Sequence, residues 1–338
     1  MRLKSALRRG VAAAVIASIV VSSGVPAYAA RWDIADGDII VEAGDEGTNR
    51  VTQGKTIEQE DRDTVITGKS EEHTVTIDPS EGNVDVTFDD LKIDVSGKTE
   101  VDGSGKTEGN VSDETEGDVS GDSPVDAGKA AVTVQGDHDA AIELDGANEL
   151  KSGSHNAGLE KNDERSEDGK TVSGTLTIKD DNDTKGSLTA EGGAGGGAGI
   201  GGGTESTGSN ITIRGGTIEA VGGSNAAGIG DGAGALSELD TDTPPSNPNH
   251  IIICGDAEVT AKAGSQILDA KAPAIGGSYG EVPTEALSDE EHKVTGGRLT
   301  RLNADGTVME GMGYDYTSVP TPQPDDEDDD DDLSLIHI

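Results

Sequence analysis

Apolar and polar residues alternate in short segments that recur along the second half of the chain. Each unit contains one alternating segment, a second alternating segment, and then a glycine-rich corner that carries a single isoleucine. The three units are residues 176–178, 187–190 and 198–203, then 211–213, 217–220 and 227–232, and then 251–253, 258–261 and 274–277. Alternation at every second position predicts β-strands with one buried face. The chain therefore contains an internal repeat of short strands.

One such unit has too little apolar surface to fold alone, so the units are expected to stack on one another. The corner isoleucines Ile200, Ile229 and Ile275 would then form one inner column. Aromatic residues make up only 2% of the chain, whereas 50 residues are glycine, which fits a narrow core filled by Ile, Val, Leu and Ala. We predict an all-β fold, a right-handed parallel β-helix or solenoid.

The strand pattern begins before the first full repeat. Further strands are predicted at residues 38–41, 64–67, 74–77, 84–88, 91–95, 131–134 and 140–144. The segment 155–159 is a degenerate copy of 225–229, so the repeats extend back to about residue 130. Trp32 is expected to cap the open end of the first units.

Composition divides the chain into segments. In order, we predict a signal peptide (1–29), an N-terminal β region with entry coils and cap (30–96), an acidic Gly/Ser-rich insertion or linker (97–128), the β-solenoid repeats (129–302), a C-terminal cap with Tyr314 and Tyr316 (303–319), a Pro/Asp-rich tether (320–332) and a sequencing-adapter scar (333–338). The last segment is apolar after an acidic tether and resembles a translated adapter. We therefore expect a further C-terminal domain or wall anchor to be missing after the tether.

The N-terminal segment has the three parts of a secretory signal. A basic start is followed by an apolar run from Val11 to Val21 and by Ala27-Tyr-Ala29, a cleavage motif of small residues. The apolar run is shorter than the roughly 20 residues that a membrane-spanning helix needs, and no later segment is apolar enough to span. We expect an exported bacterial protein with no membrane span in the mature chain.

The chain is strongly acidic, with 66 Asp and Glu residues against 25 Lys and Arg residues and a formal net charge of −41. Nucleic acid is excluded as a partner, because phosphate binding needs clustered Lys and Arg. An acidic extracellular surface recruits cations, above all calcium, so an acidic ligand would need a metal bridge. The only cysteine, Cys254, excludes an intramolecular disulfide and is expected to be a small buried residue.

The glycine clusters have two interpretations. Residues 197–202 formally match the phosphate-binding pattern G-x-G-x-x-G. That motif requires a following helix, and no helical periodicity follows. We instead expect the glycines to adopt positive φ at corners and to let adjacent units approach to the strand spacing of about 4.8 Å.

Asp180, Asp181 and Asp183 are the best candidate metal ligands. The segment begins like an EF-hand loop, but Lys185 stands where an oxygen ligand is needed and Gly192 where the bidentate Glu belongs. The hypothesis is a loosely bound calcium ion at a corner, and the alternative is a solvated acidic loop.

The same two alternatives apply to Asp137 and Asp139. An exported solenoid also raises the less favoured alternative of a polyuronide-degrading enzyme, which needs an Arg or Lys base beside calcium or a cluster of Asp residues on one sheet. Alternation turns Arg214 outward, but an isolated outward arginine normally balances nearby acids. No paired-carboxylate motif stands out, so we predict no enzyme and no catalytic residue.

The segments 174–178, 198–203 and 209–220 resemble those of repeat-bearing surface proteins of gut Gram-positive bacteria, which are labelled carbohydrate-binding-domain or β-helix proteins. The resemblance covers roughly residues 130–280, and 32–34 and 91–94 are also typical. Cys254 and Asp256 depart from the pattern, since they replace glycines in the third unit. The resemblance implies a β-helix and, because related modules bind acidic sugars or cellulose with calcium, a carbohydrate ligand.

We therefore expect a secreted or cell-surface binding module whose ligand is an extracellular polysaccharide or host glycan, with acidic sugars held through calcium. Neutral sugars need exposed aromatic platforms, and the sequence has no aromatic residue between Phe88 and Tyr279. The alternative is a non-catalytic structural stalk or adhesin scaffold that displays a C-terminal region.

Overall fold

The computed structural model describes residues 30–97, 128–164, 172–235, 250–265, 272–277, 280–281, 293–309 and 314–315. The predicted signal peptide, tether and adapter scar, and nearly all of the 97–128 insertion, lie outside the described residues. In the described part, the regular secondary structure is β apart from two three-residue 3₁₀ helices, Ile34–Asp36 and Asp45–Gly47. No helix in these ranges is long and apolar enough to cross a membrane.

In chain order, the strands of the described ranges are β1 (Arg31–Asp33), β2 (Ile39–Ala43), β3 (Asn49–Gln53), β4 (Thr56–Asp61), β5 (Thr64–Ser70), β6 (Val75–Asp78), β7 (Val84–Asp94), β8 (Val132–Val134), β9 (Ala140–Lys151), β10 (Leu159–Glu160), β11 (Leu176–Lys179), β12 (Gly186–Glu191), β13 (Ile200–Gly201), β14 (Ile211–Ile213), β15 (Thr217–Val221), β16 (Ile229–Gly230), β17 (Ile251–Ile253), β18 (Glu258–Lys262), β19 (Ile275–Gly277), β20 (Gly280–Glu281), β21 (Lys293–Val294), β22 (Arg298–Leu302) and β23 (Tyr314–Asp315).

These strands form two sheets. The first has the order β21-β17-β14-β11-β9-β12-β15-β18-β22-β23, and β7, β5 and β1 follow in turn from β9. The second has the order β20-β19-β16-β13-β10-β8-β6-β2-β3-β4. Four pairings are antiparallel, β2 with β3, β3 with β4, β19 with β20 and β22 with β23. All other pairings between the described strands are parallel.

The repeat units stack in register, in three columns of strands. The register pairs Ile178 with Ile213 and Ile253, Ala190 with Ala220 and Ala261, and Ile200 with Ile229 and Ile275. All of these side chains are buried. Leu159 pairs with Ile200, which confirms that 155–159 is a copy of the later corners. The predicted all-β fold is confirmed, and its many parallel strands are compatible with a β-helix.

The N-terminal β region and the repeats share both sheets. β6 pairs with β8 and β7 pairs with β9, so strands on either side of the 97–128 insertion are direct neighbours. One cluster of buried apolar residues extends from Trp32 to Leu299. The two regions therefore have a common core.

Two predicted strands, 84–88 and 91–95, are in fact the single strand β7. The strand continues through Asp90, whose φ is +52°, and its register against β9 is irregular between Asp89 and Lys92. The Asp90 carboxylate accepts a hydrogen bond from the Ala147 N–H at 2.9 Å, which holds this bend against the next strand. The polar sequence at this point predicted a break, whereas the chain only bends.

Capping strands lie at the ends of the sheets. Antiparallel strands close the second sheet at both ends (β4 and β20) and the first sheet at β23. At the β1 end, Trp32 is 7% exposed, and its Nε1 donates a hydrogen bond to Asp61 at 2.9 Å. Trp32 therefore lies on the last strand of this branch of the first sheet, and its role as a cap stays a prediction. Tyr314 lies on the terminal strand β23, and Tyr316 lies outside the described residues.

Glycine is required where the corners stack. Gly230 has a φ of +131°, and a Cβ atom there would lie 2.0 Å from the Gly276 carbonyl oxygen. A Cβ atom on Gly201 would meet the Gly230 carbonyl oxygen at the same distance. Both expected roles of glycine, positive φ and close approach, are therefore confirmed in this column.

Candidate functional site

The connection between the first two strand columns is longest in the first full repeat unit. Residues 180–185 join β11 to β12, whereas residues 214–216 and 254–257 make the same connection in the next two units. We call residues 180–185 the corner loop. It lies beside the two shorter corners, and an open groove of about 710 Å³ is formed there.

This corner groove is lined mainly by polar and charged residues. The lining residues are Asp180, Asp181, Asn182, Lys185, Thr212, Arg214, Cys254, Gly255 and Asp256. They come from three successive units of the stack. The rigid register of the strands therefore fixes their relative positions.

Two acidic residues of β9 hold the corner loop in place. The Glu143 Oε1 atom accepts hydrogen bonds from the N–H groups of Asp181 at 3.0 Å and Asn182 at 3.3 Å. The Asn182 side-chain amide donates to the Asp145 carboxylate at 2.7 Å, and its oxygen accepts from the Thr184 N–H at 2.6 Å. These contacts satisfy loop backbone groups that no strand pairs.

Asp180 is a buried carboxylate at the base of this groove. Its side chain is only 2% exposed, which the adjacent Gly215 permits, because a Cβ atom there would lie 3.2 Å from the Asp180 Cβ. The Asp180 Oδ2 atom lies 3.5 Å from the Lys185 ammonium, and the Oδ1 atom is buried without a hydrogen-bond partner. The same ammonium lies 3.7 Å from Asp256 Oδ2, so it sits between two carboxylates of different units.

Asp181 turns outward and meets two cations. Its carboxylate lies 3.3 Å from the Arg214 guanidinium and 3.3 Å from the Lys179 ammonium. Lys179 also lies 3.3 Å from the buried Glu143 carboxylate. As predicted, Arg214 faces outward and balances a nearby acid.

The pKa values of Glu143 and Asp181 move apart. Burial raises the pKa of Glu143, and its contact with the Asp181 carboxyl raises it further, while Lys179 opposes both. The contact with Glu143 lowers the pKa of Asp181, and Lys179 and Arg214 add to this effect. A proton shared by the pair is therefore retained on Glu143 rather than on Asp181.

The three predicted calcium ligands do not converge. Asp180 is buried against Lys185, Asp181 is paired with cations, and Asp183 is exposed and outside the groove lining. Across the described ranges, no three His, Cys, Asp or Glu side chains form a group that could hold a metal ion. Only the orphaned Asp180 Oδ1 atom favours a cation here. Calcium binding by this trio stays a prediction.

The second acidic candidate forms contacts within the protein. Asp137 lies 2.9 Å from the His138 ring, and Asp139 accepts a hydrogen bond from the Thr175 N–H at 2.8 Å. These contacts connect neighbouring segments, and in the described residues Asp137 and Asp139 belong to no group of three potential metal ligands.

The expected burial of Cys254 is wrong. The alternation that buries Ile251 and Ile253 turns the next residue outward, so the Cys254 thiol is partly exposed on the groove wall. Partial burial raises the pKa of the Cys254 thiol, against an opposing effect of Arg214.

Lys185 and Thr212 were not predicted to belong to a site, and Asp256 was recognised in the sequence only as a departure from the repeat. The signal that could have found them is the unequal length of the corners, since the first unit has the longer connection beside two short ones. The longer loop at residues 180–185 projects beyond the shorter corners at 214–216 and 254–257, and the groove lies beside it above those corners.

A second group of charges is buried away from the groove. The Lys161 ammonium lies 3.4 Å from the Asp163 carboxylate, which also accepts from the Ser209 N–H at 3.2 Å. Glu160 accepts from the Ala157 N–H at 3.0 Å. Burial raises the pKa of Glu160 and lowers that of Lys161, because it disfavours both charged forms.

Comparisons with known proteins add no relative. A scan against protein-family models, a search of curated proteins and a search of solved structures each found no match for this chain. The resemblance to bacterial surface repeat proteins therefore stays a prediction, and the candidate site is argued from its own residues.

Proposed function

We propose that the chain is an exported, non-catalytic binding module, built as a right-handed parallel β-helix, that holds an extracellular carbohydrate in the corner groove. The β-helix is supported by the three columns of parallel strands and by the single register that connects successive units. Export is supported by the predicted signal peptide. The carbohydrate is supported by the groove.

The observation that carries the proposal is the chemistry of the groove lining. Sugar hydroxyls bind to side chains that combine donors and acceptors, and Asp181, Asn182, Thr212 and Arg214 supply both kinds along one open surface. These residues stand on strands and on a loop that Glu143 anchors. A polar surface held by rigid elements is suited to binding a ligand with little loss of side-chain freedom.

Arg214 is the group that would contact an acidic sugar directly. Half of its side chain is exposed, and its ion pair with Asp181 is 3.3 Å long. Calcium held by aspartates, when bound, would supply a second route to acidic sugars by bridging two sets of carboxylates. The two routes differ in their dependence on calcium, so one experiment separates them.

The test is calorimetric titration of the purified chain with polygalacturonate and with a neutral xylan, each in calcium and in chelator. Replacement of Arg214 by Met should weaken glycan binding about tenfold, the order of one charge-assisted hydrogen bond. The matched control is Arg31→Met, which removes an arginine of similar exposure paired with Asp89 elsewhere. Glycan binding that is absent, or that is weakened equally by both variants, would contradict the proposal.

A structural stalk is the second candidate function, and a specific observation favours it. The glycine contacts of the third column bring successive units together at every corner and give a continuous scaffold. A stalk needs no groove, so its prediction is the opposite one: no glycan is retained, and variants of the groove leave cell-surface display unchanged. Retention of a glycan in the titration above would exclude a purely structural role.

A further inference from the structure

We propose that the space between Asp180 and Asp256 is a cation-binding subsite of the corner groove, and that Lys185 fills it with its own ammonium in the absence of a ligand. This inference rests on the proposed function, because it names the chemistry of one part of the same groove. The ligand group that belongs there is a cation, supplied either by calcium or by the ammonium of an amino sugar.

The Asp180 carboxylate lacks the partners that its burial requires. A buried carboxylate normally accepts hydrogen bonds on both oxygens, since burial of an unpaired charge is strongly unfavourable. Asp180 is 2% exposed, yet its Oδ1 atom has no hydrogen-bond partner and its Oδ2 atom has a cation only at 3.5 Å. The protein thus holds a negative charge in a place where its own groups neutralise it incompletely.

The Lys185 ammonium already lies where the structure favours a cation. It lies 3.5 Å from Asp180 and 3.7 Å from Asp256, so a positive charge already occupies the point between the two carboxylates. The lysine side chain is 78% exposed, so its ammonium can turn into solvent when a ligand cation takes its place beside the buried Asp180 carboxylate. The Lys185 ammonium therefore occupies the cation-binding subsite, and a ligand cation could displace it.

Asp181, a neighbouring carboxylate of the corner groove, differs from Asp180 in its partners. Asp181 has two cations at 3.3 Å and needs no further charge. Asp180 and Asp256 share one. The incompletely neutralised negative charge is therefore at Asp180 and Asp256, on one side of the corner groove.

The test uses the full chain and its variant Lys185→Met, which removes the tethered ammonium and keeps an apolar stem of similar length. Calorimetric titrations with calcium chloride and with glucosamine oligomers report cation binding, and N-acetylglucosamine oligomers are the uncharged control. We expect Lys185→Met to strengthen binding of calcium or of the glucosamine oligomer about fivefold. The matched control Lys69→Met removes an exposed lysine paired with Glu71 and should have no effect.

The outcomes separate the sources of the cation. Stronger calcium binding alone assigns the cation-binding subsite to a metal ion. Stronger binding of the glucosamine oligomer alone assigns it to a ligand ammonium. Asp256→Asn, at a residue that is 72% exposed and whose replacement is not expected to disturb folding, should abolish the gain in either case. No gain in Lys185→Met with any probe, or a gain that survives Asp256→Asn, would overturn the inference.

Failure of this inference and failure of the proposed function give different results. If the corner groove binds a glycan but the cation-binding subsite does not exist, polygalacturonate or xylan still binds, and Arg214→Met still weakens that binding. If the subsite exists but the groove binds no glycan, calcium binding still responds to Lys185→Met while no glycan is retained.

Discussion

Gly230→Ala tests the close approach of the corners, because the structure gives this glycine two separate reasons to lack a side chain. Its φ is +131°, and its added Cβ atom would lie 2.0 Å from the Gly276 carbonyl oxygen, whereas ordinary contacts begin at 3.4 Å. Relief requires the two strands to separate by more than 1 Å, which follows from those two distances. The hydrogen bond from the Asp231 N–H to the Gly276 oxygen, now 3.0 Å, would then be lost.

The expected cost follows from these two reasons. Strain at positive φ contributes about 1–2 kcal/mol, and the loss of one or two buried interstrand hydrogen bonds contributes about 1–3 kcal/mol. We therefore expect Gly230→Ala to lower the free energy of unfolding by about 4 kcal/mol.

Two matched variants separate strain from steric overlap. Gly47 has a φ of +76° with no atom within 4 Å of the added Cβ, so Gly47→Ala should cost only the strain, about 1 kcal/mol. Gly199 has no positive φ, but its Cβ would lie 2.5 Å from the Val221 nitrogen, so Gly199→Ala reports the overlap alone. Urea denaturation followed by far-ultraviolet circular dichroism measures all three. A Gly230→Ala cost no larger than that of Gly47→Ala would refute the close stacking of the corners.

Three further predictions concern the core and its buried polar groups. Ile229→Ala should cost about 3 kcal/mol in the same denaturation assay, because Ile229 is fully buried between its equivalents in two units; a cost below that of an exposed Ile57→Ala control would contradict the inner column. Asn148→Ala should cost about 2–3 kcal/mol, since its side-chain oxygen accepts from a buried N–H at 2.9 Å and its amide donates to two carbonyls; a neutral result would contradict that network. The raised pKa of Glu160 means that the native state holds this proton more tightly than the unfolded chain, so its contribution to stability is full below pH 4.5 and falls as the pH rises above that value. Glu160→Gln should remove this fall, so the melting temperature of the variant, relative to that of the wild type, should rise between acid and neutral pH. A difference in melting temperature that does not change with pH would show that Glu160 is not desolvated.

The strand pattern could be predicted from the sequence because each buried column uses the same residues in every unit. Ile200, Ile229 and Ile275 are equivalent by spacing, and alternation states which face of a strand is buried. The polar strands β3 and β4 were missed, since β4 is largely exposed and carries no apolar alternation. β3 is held by pairing with β2, and β4 by pairing with β3 at the end of the sheet, and these are tertiary contacts rather than local signals.

The candidate site was predictable only in part. Asp180, Asp181 and Arg214 were singled out, and the structure brings all three to one groove. Their roles differ because burial is decided by the neighbouring unit: Gly215 makes room for Asp180, and Arg214 approaches Asp181 across the stack. The contact of Lys185 with Asp256 could not be deduced from the sequence. The two residues belong to different repeat units, and only the folded structure shows that their side chains meet.

The common register of the repeat units has a genetic consequence. Each unit presents the same edge to the next, so a recombination event that joins one corner to the equivalent corner of another unit leaves every remaining strand with a matching partner. Joining residue 199 to residue 229, for example, would place Ile229 against Leu159 and β17 against β11. The number of units can therefore change in a single event while the capping strands at both ends are inherited intact, although the corner groove, which needs three particular units in succession, would be lost with the one removed.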